Sequence, residues 1–373
     1  MKRNKNVIFF VTSLNNGGLE NYLLRFIHDY HNRFDKIYVW CKGAIGGVLE
    51  DEYSSFPNVD VVKVSLNSIY FWEYKKLIQF IKIRKINIVC DFTGSFSGLT
   101  MLSAKMVDVP VRLVFYRNAG DKFKKTFFKI YYRKLLQKLV KKCSTKILSN
   151  SKAAFDYFYP LRNLNNDKFK VIYNGINSKK FETSFDKELK FLELGLPKNA
   201  FIIGHVGRFN YQKNHSTILK VFNSLIKKYD NIYIIFCGSG TKEGVLHLVE
   251  EINSKMHDKV KVLGNRSDVN ELLKIMNLFF FPSTIEGQPN ALIEAMISGI
   301  PIVSSNIPPI IETTHKSMHP FLKDPYDIDG FVEIISEIYE SPYIKNKFIF
   351  SDWAINKFNF EERFNEFYDE LNY

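Results

Sequence analysis

The sequence predicts an α/β protein built from two doubly wound halves, and three observations carry that reading. Short β-branched and aromatic runs alternate with longer amphipathic segments along all 373 residues, the pattern of parallel sheets covered by helices on both faces. The alternation restarts after a polar stretch at about 181–197. The length also exceeds what one hydrophobic core sustains, so two domains are expected.

The strands follow in order. Asn6–Thr12, Ile37–Cys41, Val59–Val64, Ile86–Asp91, Val111–Tyr116, Lys146–Ser149 and Lys170–Tyr173 build the first half. Phe201–Val206, Ile232–Cys237, Val260–Leu263, Leu278–Phe281 and Pro301–Ser304 build the second. Between them, Leu19–His31 and 72–85 read as helices. Trp353–Tyr373 reads as one closing amphipathic helix carrying Phe358, Phe360, Phe364, Phe367 and Leu371. In such sheets ligands collect outside the carboxyl ends of the strands.

Composition narrows the class. Apolar residues make up 46% and charged residues 24%, as in a soluble globular protein. Cys41, Cys90, Cys143 and Cys237 form no CxxC pair, which argues against a disulfide framework or structural zinc and suits a reducing cytoplasm. The apolar run Val7–Val11 is too short for a signal sequence. No stretch reaches the roughly 18 apolar residues of a spanning helix, so a cytoplasmic location is expected. Charge is uneven: residues 1–190 hold 34 Lys and Arg against 16 Asp and Glu, while 191–373 hold 18 against 23. A uniformly basic nucleic-acid binder would not divide its charge this way, and its groove- and strand-reading motifs are missing.

Two stretches carry chemistry. Gly204-His205-Val206-Gly207-Arg208-Phe209-Asn210-Tyr211-Gln212-Lys213-Asn214-His215 sets two cations five residues apart after a strand. Arg208 and Lys213 suit one diphosphate; they also read as a turn with two solvated cations. The second stretch, Phe281–Ala295, sets Glu286 in a loop and Glu294 eight positions later, on a helix that Pro289 is suited to open. The first amides of that helix, from about Asn290 through Ala291 to Leu292, suit a phosphate. Glu294 sits among Leu292, Ile293, Ala295, Met296 and Ile297, where a carboxylate needs a partner, either a ligand hydroxyl or a Lys or Arg.

Taken together, GRF-x3-KNH and E-x7-E resemble the retaining glycosyltransferases of family 4 with the GT-B fold. Asn15-Asn16-Gly17-Gly18-Leu19-Glu20 resembles that family's Gly-Gly loop. Ser149-Asn150-Ser151-Lys152, Val171-Ile172-Tyr173-Asn174-Gly175-Ile176, Cys237-Gly238-Ser239-Gly240, Leu263–Val269 and Ser298–Val303 match in order. The resemblance implies two Rossmann-like domains facing across a cleft: 1–185 on the acceptor side, 186–350 on the nucleotide-sugar side, and 351–373 crossing back to the first. It implies that Arg208, Lys213 and Glu286 carry the reaction, with no metal and no cofactor beyond the substrate. Glu294 would take the ribose hydroxyls, Glu286 the sugar hydroxyls, and Gly264, Asn265 and Arg266 the base. Gly287, Gln288, Pro289, Asn290, Ala291 and Leu292 would line the donor, and Gly17 and Gly18 would close on its phosphates. The donor would be a nucleotide diphosphate sugar, most commonly of UDP. The acceptor implied is a lipid-linked bacterial glycan of O-antigen or capsule type, and the configuration at the anomeric carbon would be retained.

One position departs from the family. Arg117, beside Asn118, stands about where many relatives have a His. Arg cannot act as a base, so it would hydrogen-bond a sugar or phosphate, or pair with Asp121 or another acid. Asp91 is a further acceptor-side candidate. Segment 121–142 holds nine cations and one acid, with Phe123, Phe127, Tyr131, Leu135 and Leu139 at intervals of four, flanked by Phe128, Tyr132, Leu136 and Val140. It predicts a basic amphipathic helix, core on one side and against an anionic membrane on the other, placing the chain at the inner face of the cytoplasmic membrane. A nucleotide-sugar epimerase of the same fold and a catalytically silent partner subunit are the rival readings.

Overall fold

The computed structural model describes residues 5–15, 17–67, 70, 72–117, 127–163, 166–341 and 343–372. Its first sheet contains β1 (Asn6–Val11), β2 (Lys36–Cys41), β3 (Val59–Val62), β4 (Ile88–Asp91), β5 (Val111–Tyr116), β6 (Lys146–Ser149) and β7 (Phe169–Val171). All pairs are parallel, in the order β3-β2-β1-β4-β5-β6-β7. The second sheet contains β8 (Phe201–Val206), β9 (Ile232–Cys237), β10 (Val260–Gly264), β11 (Leu278–Phe281) and β12 (Ile302–Ser304). It is also parallel, ordered β10-β9-β8-β11-β12. Strand order reverses beside β1 in one sheet and beside β8 in the other, the switch points where such folds take ligands.

Alternation along β1 sorts its side chains between two cores. Ile8 and Phe10 pack with Trp40, Leu77, Val89, Met101, Val114, Val140 and Phe155. Phe9 points to the opposite face, within 6.0 Å of Phe26 and 6.5 Å of Phe367, ring centre to ring centre. The second unit has its own core, where Ile203, Phe222, Phe236, Val249, Phe280 and Ile335 meet. The four cysteines are all buried and free. No described helix is long and apolar enough to cross a membrane.

By internal contacts the chain divides into residues 1–174 with 362–373, and residues 175–361. The sequence reading set its divisions after 185 and 350. The closing segment is also two helices, Ser351–Lys357 and Phe360–Glu370, instead of one. Between them Phe358 is buried and its carbonyl accepts the Ile176 amide at 3.0 Å. Asn359 bridges Ile176 in parallel fashion, and that pairing is incompatible with continuous helix. Beyond the break, Phe364 and Phe367 pack on Tyr22 at 5.0 and 6.0 Å and on Phe26 at 5.7 and 4.7 Å. Each fully buried phenyl stabilises by roughly 1.5–3 kcal/mol, so these two rings fasten the terminus to the first unit.

Of the apolar face read from the sequence, helix Phe127–Cys143 buries only members of the flanking row among its described side chains. Its core side is Leu136, Val140 and Cys143, whereas Tyr131 and Leu135 of the predicted stripe are 69% and 48% exposed. Gly98 decides this: a Cβ there would lie 2.7 Å from the Leu136 carbonyl, so helix Gly98–Met106 approaches on that side. Phe123 and the rest of 118–126 lie outside the described residues.

Candidate active site

The second unit assembles most of the predicted residues around the carboxyl ends of β8 and β11. Gly204 is needed inside the sheet, since a Cβ would meet Met276 Sδ at 1.9 Å; it serves packing, not ligand approach. After β8 the chain turns through Arg208 to a 3-10 turn at Tyr211–Lys213, where the Asn210 side chain accepts the Lys213 amide at 3.1 Å. Asn214 takes the left-handed conformation (φ 57°). Its side chain donates to the carbonyls of Pro282 (3.1 Å) and Pro325 (2.7 Å). The Thr284 amide donates to the Gln212 carbonyl at 2.8 Å, so the loops after β8 and β11 are stitched together.

That stitching brings Lys213 Nζ to 2.6 Å from Glu286 Oε1 and to 4.5 Å from the centre of the Phe281 ring. Both side chains are more than four-fifths buried. Arg208 is exposed and makes no ion pair among the described residues. Beneath them His205 and His215 meet edge to face at 4.9 Å, and Phe209 covers His215 at 4.9 Å. Burial, with the charge of Lys213 acting the same way, lowers His215 to about 4 and His205 well below its ordinary value. Both imidazoles are neutral packing at neutral pH.

Glu294 lies on helix Asn290–Ile297, which starts after Pro289. Its neighbours Leu292, Ile293, Ala295, Met296 and Ile297 are buried, and Glu294 itself lines an open recess of about 320 Å³. The other walls are Lys180, Phe181, Thr183, Ser267, Val269 and Asn270. Asn270 Nδ2 donates to the Lys180 carbonyl (3.0 Å) and Thr183 Oγ1 (3.2 Å), which fixes the 180–183 segment against helix Val269–Ile275. Sequence reasoning missed this wall: its residues follow the VIYNGI stretch but carry no charged pattern of their own. Gly287, Gln288 and Pro289 are buried behind Glu286, and Ala291 and Leu292 follow on the first turn.

Gly264 closes β10 with φ 69°, and Asn265 is exposed. The Arg266 side chain is taken by Asp268 (2.6 and 2.7 Å) and Glu193 (2.6 Å). Lys190 joins the same cluster through Asp268 (2.7 Å), Glu271 (2.9 Å) and Glu193 (3.0 Å). The Arg266 guanidinium, then Lys190, holds the Asp268 carboxyl well below the usual range. Arg266 therefore braces the wall of the recess with its side chain, while the Gly264 carbonyl accepts the Gly238 amide at 2.7 Å.

In the first unit Gly17 caps helix Gly18–Tyr30, and a Cβ on Gly18 would meet nothing within 4 Å. Nothing in the packing requires glycine at 18. Arg117 lies 3.6 Å over the Tyr22 ring and donates to Asn174 Oδ1 at 2.6 Å. Asn118 and Asp121 lie outside the described residues. Asp91 is withdrawn from an acceptor role: it is fully buried, ion-paired to Lys42, and accepts from the Thr93 amide (2.9 Å) and hydroxyl (2.7 Å). An apolar strand end tolerates a carboxylate only when it is paired in this way.

Two parallel-sheet Rossmann-like units, with switch-point loops carrying paired cations and carboxylates, define an α/β protein of the GT-B class. The chain belongs to the glycosyl transferases group 1 family: that family's model matches residues 186–350, and the model of glycosyltransferase family 4 matches residues 16–180. The Staphylococcus aureus capsular polysaccharide biosynthesis glycosyltransferase CapH is 30% identical over 306 residues, 81% of each chain. The Escherichia coli UDP-Gal:alpha-D-GlcNAc-diphosphoundecaprenol alpha-1,3-galactosyltransferase is 27% identical over 83% of this chain and 81% of its own. Among solved structures, Anabaena HepE in complex with UDP and glucose shares the fold with a TM-score of 0.78, at 19% identity over 99% of both chains.

Proposed function

We propose that this chain transfers a sugar from a UDP-sugar to a lipid-linked glycan during assembly of a bacterial surface polysaccharide, with retention at the anomeric carbon. The observation that carries the reading is the Lys213–Glu286 pair, with an exposed Arg208 on the loop that carries Lys213. Arg208 and Lys213 meet the charge that grows on the departing diphosphate, the role of preorganised cations in transfer, and no metal is required. Glu286 orients Lys213 and is placed for hydroxyls of the donor sugar. Glu294, in its recess, takes the ribose hydroxyls. The acceptor hydroxyl oxygen bonds to the anomeric carbon on the face from which the diphosphate leaves, as the carbon–oxygen bond to the β-phosphate breaks, and the hydroxyl proton passes to the departing phosphate oxygen. The names of the S. aureus and E. coli relatives support the polysaccharide and lipid-diphosphate parts.

The chain acts at the inner face of the cytoplasmic membrane, through helix Phe127–Cys143. Phe128, Tyr131 and Leu135 are 85%, 69% and 48% exposed in a row at helical spacing, flanked by exposed Lys134, Lys138, Lys141 and Lys142. Aromatic rings amid cations suit the interface of an anionic bilayer.

The test is a thermal-shift titration with UDP, GDP, ADP and CMP in EDTA, on wild type, Glu294→Ala and Arg208→Ala. UDP stabilisation that weakens in both variants is expected. A folded chain that responds to none of them would point instead to a silent partner subunit.

A further inference from the structure

His205 stands on β8 beneath the Lys213–Glu286 pair, and its two ring nitrogens are used differently. Nδ1 lies 2.9 Å from the Phe280 carbonyl. A carbonyl only accepts, so Nδ1 carries the proton and Nε2 of the neutral ring is left as an acceptor. That Nε2 is buried with no hydrogen-bond partner among the described residues. Burial, then the neighbouring His215, keeps the ring neutral against the opposing effect of the Phe280 carbonyl. His215 supplies no donor to it. The two rings meet edge to face at 4.9 Å, and neither nitrogen of His215 completes a hydrogen bond of good geometry. The Asn210 backbone, which raises the His215 pKa, faces that ring as an acceptor.

The Lys213 stem shares the space around His205 Nε2. A Cβ at Gly207 would stand 3.1 Å from His205 Nε2 and 3.2 Å from both Cδ and Cε of Lys213, so glycine there leaves that space to the two side chains. The Lys213 ammonium is 4.5 Å from the centre of the Phe281 ring, on which His205 stacks at 5.6 Å. An ammonium has three N–H donors, and Glu286 takes one at 2.6 Å. A second carboxylate in place of His205 would cancel the charge that a diphosphate needs. A neutral imidazole orients the ammonium and leaves its charge intact. Since a buried acceptor without a donor is costly, the ring gains from an ammonium that turns towards it.

We propose that His205 is a positioning residue for Lys213: as a diphosphate draws the ammonium from Glu286, His205 Nε2 accepts a hydrogen bond from it and holds it for the phosphates. The inference rests on the transferase reading above and deepens it, by adding a neutral partner beneath the paired charges.

Nitrogen-15 NMR of the full chain labelled at histidine, at neutral pH in EDTA with and without UDP, reads the acceptor directly. His205 Nε2 should resonate as a bare imidazole nitrogen in the free chain and move upfield when UDP binds. Lys213→Ala at saturating UDP should abolish the move. Isothermal titration with UDP gives a second readout. His205→Phe, which keeps the ring packing, should bind about tenfold more weakly, and His205→Gln, which restores an acceptor near Nε2, should regain most of the loss. Should His205→Phe not fold, the wild-type resonance decides by itself. A resonance that stays in place while UDP binds overturns the proposal, as does one already upfield without UDP, the mark of a buried water on Nε2. UDP affinity in His205→Phe within about twofold of wild type overturns it too, as do equal losses in the two variants, which mark packing alone. Any of these results with UDP bound overturns this inference alone, whereas wild type that binds no UDP overturns the transferase reading with it.

Discussion

Lys213 and Glu286, 73 residues apart, join at 2.6 Å between the loops that leave β8 and β11. The Asn210 side chain fixes the turn by accepting the Lys213 amide at 3.1 Å, and Glu286 holds the Lys213 ammonium at the switch point of the sheet. On the proposed function, a diphosphate arriving there would find an ammonium already oriented, so little reorganisation would be left for the reacting step.

Removing either partner should therefore damage turnover more than folding. Lys213→Ala is expected to lower kcat by about 10²- to 10³-fold, as loss of one preorganised electrostatic donor does elsewhere. Glu286→Gln should lower it less, because the amide still accepts from the ammonium. Radiolabel transfer from UDP-sugar to membrane lipid extract measures both; kcat within twofold of wild type in Lys213→Ala would refute the role.

Glu294 should govern nucleotide affinity. A carboxylate that accepts from hydroxyls is worth about 1.5–3 kcal/mol, so Glu294→Ala should weaken UDP binding by about ten- to a hundredfold. Unchanged UDP affinity by calorimetry would remove Glu294 from the site.

Asp91 and Lys42 are predicted to matter for stability. Their side chains are 0% and 8% exposed, and stripping one partner from such a pair costs about 3–5 kcal/mol. Asp91→Ala should thus unfold at markedly lower urea, while Asp91→Leu combined with Lys42→Met should recover much of the loss. A single variant within about 0.5 kcal/mol of wild type would show that the pair contributes little.

His205 and His215 predict an acid limit on stability. The folded pKa of His215, about 4, lies below the ordinary value of 6.5 because burial disfavours the cation. Between those values the unfolded chain binds a proton that the folded chain refuses. Stability is therefore complete above about pH 6.5 and falls as pH drops towards 4, by about 1.4 kcal/mol per pH unit for this group. Urea unfolding across pH 4–7 checks it, and His215→Phe should flatten the slope; an equally steep slope in that variant would contradict the assignment.

Membrane binding should depend on the outer stripe of helix Phe127–Cys143. Wild type should sediment with vesicles rich in phosphatidylglycerol and release as salt rises, since screening weakens its cations. Phe128→Ser with Tyr131→Ser should release more readily at every salt concentration. Equal retention on neutral vesicles would exclude the electrostatic part.

Much of the fold was legible because strands announce themselves locally. The run Phe201–Val206 is read from β-branched and aromatic residues, and the structure has a strand over the same residues. The stretches around Arg208, Lys213, Glu286 and Glu294 were legible for the same reason, as fixed spacings after strands. The break at Phe358–Asn359 was not, because its cause is a backbone pairing with Ile176, over 180 residues earlier in the chain. The Lys180–Thr183 wall and the Arg266–Lys190 cluster escaped for the same reason.

The sequence by itself determined the alternation of strands and helices, the two-unit division, and which chemical groups stand at the ends of which strands. Those properties depend on periodicity and neighbours within about ten residues. Tertiary structure alone decided that Lys213 meets Glu286, that Asp91 is spent on Lys42, and that Arg117 stacks on Tyr22. It also decided which of two adjacent apolar stripes on helix Phe127–Cys143 is core. Periodicity marks both stripes alike; only the close approach at Gly98, a contact between distant segments, chooses between them.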